Sequence, residues 1–335
     1  MSFDLSVIWF SIIVFATLMY IVMDGFDLGI GILMPFTKND KHRDVMVNTV
    51  APVWDGNETW LVLGGAALFG AFPLAYSVII EALTIPLSLM LIALIFRGVA
   101  FEFRFKSVDH HLKFWNRSFM IGSICATFFQ GVVVGSVIQG FEVNHRIFVG
   151  GQLDWIAPFP LFCGLALIAT YALLGSTWLV MKTEGHLQKS MFLASKKTLL
   201  IMLSAMAIIS IWTPLTFQSI ADRWFSLPNL YYLLPIPVIT GLVCFNLMHS
   251  LKKQREHSPF IMALVIVILG FIGLGISIWP NIIPPNISIW EAAAPASSQQ
   301  FMLFGAVLII PLILAYTFWS YYVFSGKVKE DEAYH

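Results

Sequence analysis

Apolar residues run along this chain in long unbroken stretches separated by short polar breaks. A helix needs about 20 residues to cross a hydrocarbon layer of about 30 Å. Nine stretches qualify, at roughly 5–35, 53–73, 76–101, 117–140, 157–181, 198–220, 229–250, 259–279 and 300–325. They lack the short two-residue alternation of membrane barrel strands, so the pattern predicts an all-α polytopic membrane protein of about nine helices. The second stretch is the least uniform. Its charge-free core is Leu61 to Tyr76, and it reaches full length by including Trp54 to Trp60. No break is long enough for a soluble module, so 1–335 reads as one integral membrane domain. The break at 280–299 holds Pro280, Pro284, Pro285 and Pro295 without Lys or Arg, and reads as an extended cover. Met1 to Leu5 carry no basic residue, which argues against a cleavable signal.

The basic residues orient this array. Lys38, Lys41 and Arg43 fall in the first break, and Arg104, Lys106, Lys113 and Arg117 in the third. Lys182, Lys189, Lys196 and Lys197 follow the fifth stretch, Lys252, Lys253 and Arg255 the seventh, and Lys327 and Lys329 the last. The other side has Arg146 and Arg223, and Arg97 lies within the third stretch. Positive residues stay cytoplasmic, so the N-terminus is expected outside and the C-terminus inside.

Composition narrows the class. Of 335 residues, 58% are hydrophobic and 11% are charged, with a mean hydropathy of +0.82. Soluble domains carry about 25% charge, so a chain this poor in charge cannot cover a water-facing surface of its own. The net charge of +0 gives no basic patch for nucleic acid. Cys125, Cys163 and Cys244 are few and far apart, against a disulfide framework, a zinc site or an iron–sulfur cluster.

Ionisable groups inside a bilayer are costly and mark function by default. Asp24 and Asp27 interrupt the first stretch, three apart on one helix face. Asp55 and Glu58 open the second in Trp54-Asp55-Gly56-Asn57-Glu58-Thr59-Trp60, and Arg97 and Glu102 close the third. Three helices thus place acids at one cytoplasm-facing depth, with Glu81 an outlier in the outer half of the third. Two readings stand. The acids form a proton path, or Asp24, Asp55 and Arg97 form a static ion-pair and capping network, with Asp27 as ordinary helix-end solvation. Gly25 and Gly29, with Gly31, read as a close helix-packing surface, and so do Gly64, Gly65 and Gly70. Seven of the eight histidines fall in breaks or the tail, and His249 sits at the end of a stretch. Facing mid-membrane histidines for a haem are missing, and Met90 and Met206 read as packing. Trp9, Trp115, Trp155, Trp224, Trp279 and Trp319 lie near stretch ends as an aromatic belt.

Asp24-Gly25-Phe26-Asp27, the run Ala51-Pro52-Val53-Trp54-Asp55-Gly56-Asn57-Glu58-Thr59-Trp60-Leu61, Phe96-Arg97-Gly98 and Trp290-Glu291-Ala292 resemble subunit II of cytochrome bd-type quinol oxidases. The Gly56 to Trp60 wording is most like the cyanide-insensitive oxidase branch. The likeness runs from about 5 to about 330, nearly the whole chain. It implies a complex in the bacterial cytoplasmic membrane that oxidises quinol and reduces O2 to water. Electrons come from the outer side and protons from the cytoplasm, which builds a proton-motive force. It implies b-type haems, and haem d or a b-type replacement, in a partner subunit I, with none in this chain. It also implies quinol and lipid as companions and allows a small single-helix subunit. Asp55 matches the family's proton-path position in the W-D-G-N motif. Glu102 matches an acidic position where some relatives carry Asp. Trp60 matches a Trp beside a proposed lateral oxygen entrance. Asp24 and Asp27 match a D-G-F-D motif.

A proton-coupled secondary transporter has the same composition and the same buried acids. Such transporters often break helices at matching places in two related halves. Here Pro235-Ile236-Pro237 breaks the seventh stretch and has no counterpart in the first half.

Overall fold

Prolines and polar breaks decide where the helices end. The structure, a computed structural model, describes residues 4–107 and 109–328, without the side chains of Asp109 and His110. Met1, Lys329 and His335 lie outside the described residues. The chain order is α1 (Leu5–Leu33), α2 (Asp40–Asn48), α3 (Trp54–Ala71), α4 (Pro73–Ala82), α5 (Thr84–Lys106) and α6 (Asp109–Gln139). A hairpin of β1 (Val143–Asn144) and β2 (Ile147–Phe148) leads to α7 (Pro158–Lys182), α8 (Gly185–Thr216), α9 (Gln218–Phe225), α10 (Asn229–Leu233), α11 (Pro235–Lys252) and α12 (Ser258–Ile278). A second hairpin, β3 (Asn281–Ile283) and β4 (Ile287–Ser288), precedes α13 (Ile289–Ala292) and α14 (Ala296–Val323).

The protein is an all-α polytopic membrane protein. Among the described residues eight helices are long and apolar enough to cross a membrane, and α3 with α4 supplies a ninth if the bent pair is one span. Here the structure corrects the sequence pattern. The second and third stretches do not meet at a simple loop near residue 75. The chain bends by 119° between α3 and α4. The cause is Pro73, which donates no backbone N–H and keeps Phe72 out of the α region, at φ −134° and ψ 64°. The third span is therefore Thr84–Lys106, and Glu81 is exposed on the short α4 rather than inside that span. Lys113 and Arg117 lie within the first three turns of α6, and Lys189, Lys196 and Lys197 within the first four turns of α8, rather than in loops. Pro235 and Pro237 sit at the start of α11, where a proline costs no hydrogen bond, and the break they make in the seventh span, Asn229–Lys252, is the α10–α11 junction at Leu234. The extended cover at 280–299 is the β3–β4 hairpin and α13.

Helix α1 lies at the centre, against α3, α6 and α7. Glycines set how closely. A Cβ on Gly29 would meet the carbonyl of Tyr171 and stand 2.9 Å from Gly175 N, and one on Gly25 would press on the Tyr171 ring. Gly31 likewise accommodates Ser123 of α6. The first glycine surface is thus a helix crossing. In α3 the outcome is mixed: Gly70 makes room for Met302 and Gly64 touches Ala16 loosely, but nothing lies within 4 Å of the Gly65 position. Beside the crossing, Phe26 stacks on Trp178 at 4.2 Å and meets Phe260 and Tyr321 edge-on.

Contacts bring the breaks together at two ends. At the basic end Asp44 of α2 pairs with Arg104 of α5, His42 stacks on His186, and Lys327 pairs with Glu256 at 2.8 Å. At the other end Trp9 donates to Gln299 O at 2.9 Å and Trp290 to Asp4 at 2.7 Å. The Trp290 indole and the Ser6 and Val7 amides hold the Asp4 carboxyl below its ordinary range.

Candidate functional site: a buried carboxylate–arginine cluster

Three carboxylates converge on one guanidinium in the basic half of the bundle. Helix α1 presents Asp24 and Asp27, α5 presents Arg97, and all three are completely buried. Arg97 Nη1 lies 2.8 Å from Asp24 Oδ1 and 2.5 Å from Glu58 Oε1, and Nη2 lies 3.7 Å from Asp27 Oδ2. Glu58 comes from the second turn of α3, with 26% of its side chain exposed. Buried Asn57 donates to Asp27 Oδ2 at 2.8 Å and to Met23 O at 3.2 Å, and accepts from the Tyr321 hydroxyl of α14 at 2.9 Å. Four helices are thereby tied at one point.

Local packing explains how the arginine is held. A Cβ on Gly122 of α6 would stand 2.7 Å from Ala93 O and 3.1 Å from Arg97 N, so α6 lies flat on α5 and closes the site from behind. The guanidinium also faces the Phe101 ring at 5.6 Å. An isolated charge at this depth would cost far more than folding can supply, and the mutual pairing offsets that. The pairing is incomplete. Asp24 Oδ2, Asp27 Oδ1 and Arg97 Nε meet no hydrogen-bond partner, and three acids face one base.

Beside the cluster a shallow pocket opens between the start of α3 and the end of α14. Val53, Asp55, Gly56, Asn57, Tyr316 and Tyr321 line it. Asp55 is exposed there, one turn before Glu58 on the same helix face.

The structure thus brings Asp24, Asp27, Glu58 and Arg97 together and leaves Asp55 at the rim. The static network expected of Asp24, Asp55 and Arg97 has Glu58 in the place given to Asp55. Asp27, read as open to helix-end solvation, is fully buried. Glu102 stands apart. It is 61% exposed and 3.8 Å from Lys106, because five residues past Arg97 puts it on another face of α5. Trp60 is fully buried against Phe15, Ala16 and Tyr20. Asn57 and Tyr321 belong to the site and were not singled out by the sequence pattern. Asn57 sat unassigned between two quoted acids, and Tyr321 gave no signal in an apolar stretch. A second buried polar group was also missed, with Gln130 donating to Tyr20 at 2.5 Å and accepting from Tyr171 at 3.2 Å. A lone amide in an apolar stretch was its signal.

His249 is exposed on α11. Among the described residues no three His, Cys, Asp or Glu side chains could hold a metal ion. Fold and site together define a helical integral membrane protein whose buried polar centre is carboxylates on arginine.

The chain belongs to the family of cytochrome bd terminal oxidase subunit II, whose model matches residues 5–324. It is 26% identical to the cytochrome bd-I ubiquinol oxidase subunit 2 of Escherichia coli K12, over 98% of this chain and 96% of that protein. It is also 26% identical to the cytochrome bd ubiquinol oxidase subunit 2 of Bacillus subtilis, over 97% of each. Among solved structures, a chain of the bd oxidase from Geobacillus thermodenitrificans has the same fold. The TM-score is 0.78 at 18% identity, over 96% of this chain and 98% of that one. This membership makes the chain a subunit of an oxidoreductase, and the transporter reading falls with it.

Proposed function

We propose that this chain is the haem-free subunit II of a quinol-oxidising, O2-reducing complex of the bacterial cytoplasmic membrane, and that it helps take up protons from the cytoplasm. It works as one integral membrane domain. Its basic end faces the cytoplasm, and it scaffolds a subunit I that carries the haems and meets quinol. The observation that carries the reading is the charge count at the cluster. Asp24, Asp27 and Glu58 face Arg97 alone, so two protons bring the group to neutrality, and unpaired carboxylate oxygens are present to hold them. Asn57, which donates to Asp27, lines the pocket where Asp55 stands open, and its neighbour Glu58 is partly exposed and paired with Arg97. Protons enter at Asp55, pass to Glu58 and load the cluster. Asp55 and Glu102 are both open on the surface of this chain, as acids shared with a partner subunit must be. An oxygen route at Trp60 has less support, because its ring is wholly covered within this chain.

The test is Asp55→Asn in the intact complex. Quinol-driven oxygen consumption is expected to fall about tenfold or more, as for loss of a positioned proton carrier, with the haem spectrum intact. Glu58→Gln is expected to act in the same direction. Unchanged turnover in both variants rules out the path, and loss of haem with turnover favours the static network.

A further inference from the structure

The last described residues cross back over the bundle at its basic end. Lys182, at the end of α7, is 6% exposed. Its ammonium donates to Phe324 O at 2.6 Å and Gly326 O at 3.1 Å, while Val328 N donates to Lys182 O at 2.9 Å. Lys327 pairs with Glu256 at 2.8 Å and Glu184 at 3.9 Å, and Gln188 donates to the same Glu256 at 3.1 Å. Residues 324–328 are therefore strapped to the α7–α8 and α11–α12 turns. The Lys327 and Gln188 bonds also hold the Glu256 carboxyl below its ordinary range.

The strap bears on α14, which otherwise rests in this chain chiefly on α3 and α1. Much of its surface is exposed in this chain, with Phe301, Phe304, Leu308, Leu312 and Phe318 all more than 70% open. Its last turns are held by the strap, by the Tyr321 hydroxyl on Asn57, and by the rings of Phe26 and Trp178 beside Tyr321, the Trp178 ring lying 5.1 Å from the Lys182 ammonium and 6.3 Å from the Tyr321 ring. Tyr321 in turn caps Asn57, the residue that holds Asp27, and Tyr316 lies over Gly56.

We propose that Lys182 is a positioning residue: it latches the strap, and through it keeps the end of α14 closed over the pocket that leads to Asp27. The latch sets access to the cluster from the basic end. Its relevance to turnover rests on the proton-uptake reading, and its geometry does not.

The experiment places a reporter thiol under α14. A Cβ at Gly56 meets only Tyr316 Cε1, at 3.5 Å, an ordinary contact, so Gly56→Cys fits. Labelling of this thiol by a water-soluble maleimide is measured in the whole complex, against the same complex without Cys at 56. Adding Lys182→Met is expected to speed labelling about tenfold or more, the scale set by losing hydrogen bonds from a charged group. Lys182→Arg, which keeps donors for both carbonyls, is expected to restore slow labelling. If Lys182→Met prevents assembly, Lys327→Ala paired with Glu256→Gln loosens the strap from its exposed side and is expected to speed labelling by a smaller factor. Equal labelling rates with and without the strap contacts overturn the latch. Faster labelling with unchanged quinol-driven oxygen consumption upholds the latch and overturns its link to proton uptake.

Discussion

Complexes carrying Arg97→Gln are expected to assemble poorly or not at all. The substitution removes the one cation from a site that holds two fully buried aspartates and a largely buried glutamate. Breaking a buried ion pair by deleting one partner costs about 3–5 kcal/mol, because the remaining charge is left without compensation. That is a large fraction of the stability of any domain. The measurement is the amount of haem-loaded complex recovered from membranes and its thermal unfolding midpoint. Adding Asp24→Asn and Asp27→Asn to Arg97→Gln removes the two fully buried charges with little change of volume and leaves only Glu58, whose side chain is 26% exposed. The triple variant is expected to recover assembly and to remain slow in oxygen consumption. Recovery of assembly together with normal turnover would assign the cluster a structural role alone. Arg97→Lys is expected to fall between the two, since a single ammonium cannot reach three carboxylates as the guanidinium fork does.

Gly29→Val is expected to have the second largest effect. Gly29 and Gly175 touch backbone to backbone where α1 crosses α7, and a side chain there overlaps the carbonyl of Tyr171. Neither backbone can yield without separating the helices, so the cost is expected at or above the upper end of the ~1–3 kcal/mol seen for overpacking. Separation would also displace Asp24 and Asp27, which lie within two turns of Gly29 on the same helix. Gly65→Ala in α3 is the matched control, since nothing stands within 4 Å of the added methyl. It is expected to leave both the yield of complex and its melting unchanged. Equal losses from the two substitutions would mean that the crossing does not depend on Gly29.

Much of this was legible in the residues. The apolar stretches marked the spanning helices because a bilayer demands continuous apolar length, a signal that needs no knowledge of packing. The basic residues marked which breaks gather at one end for a similarly local reason. The bend at Pro73 was the exception. Its stretch reads as continuously apolar, and the proline could as well have opened a straight span as folded the chain back.

The site was legible by residue type and by depth. Asp24, Asp27, Glu58 and Arg97 stand out because charges are rare in such a chain and expensive where they occur. Their pairing was not legible. Asp55 and Glu58 are one turn apart in the same motif, and nothing local says which of them meets Arg97. Glu58 and Asn57 lie level with Arg97 and Asp27 where α3 packs on α1, and Asp55, a turn nearer the start of α3, is left exposed. Tyr321 was invisible for the same reason, since it reaches Asn57 across 264 positions of chain.

By itself, then, the sequence determined that this is a helical membrane protein, where most of its helices run, and which few ionisable groups lie at depth. Those properties follow from the cost of placing each residue in hydrocarbon, and that cost is paid residue by residue. Only the tertiary structure decided which acid faces Arg97, that Glu102 stands apart, and that α14 is pinned at Lys182. Those depend on how the helices pack and on contacts between distant residues, which no local pattern encodes.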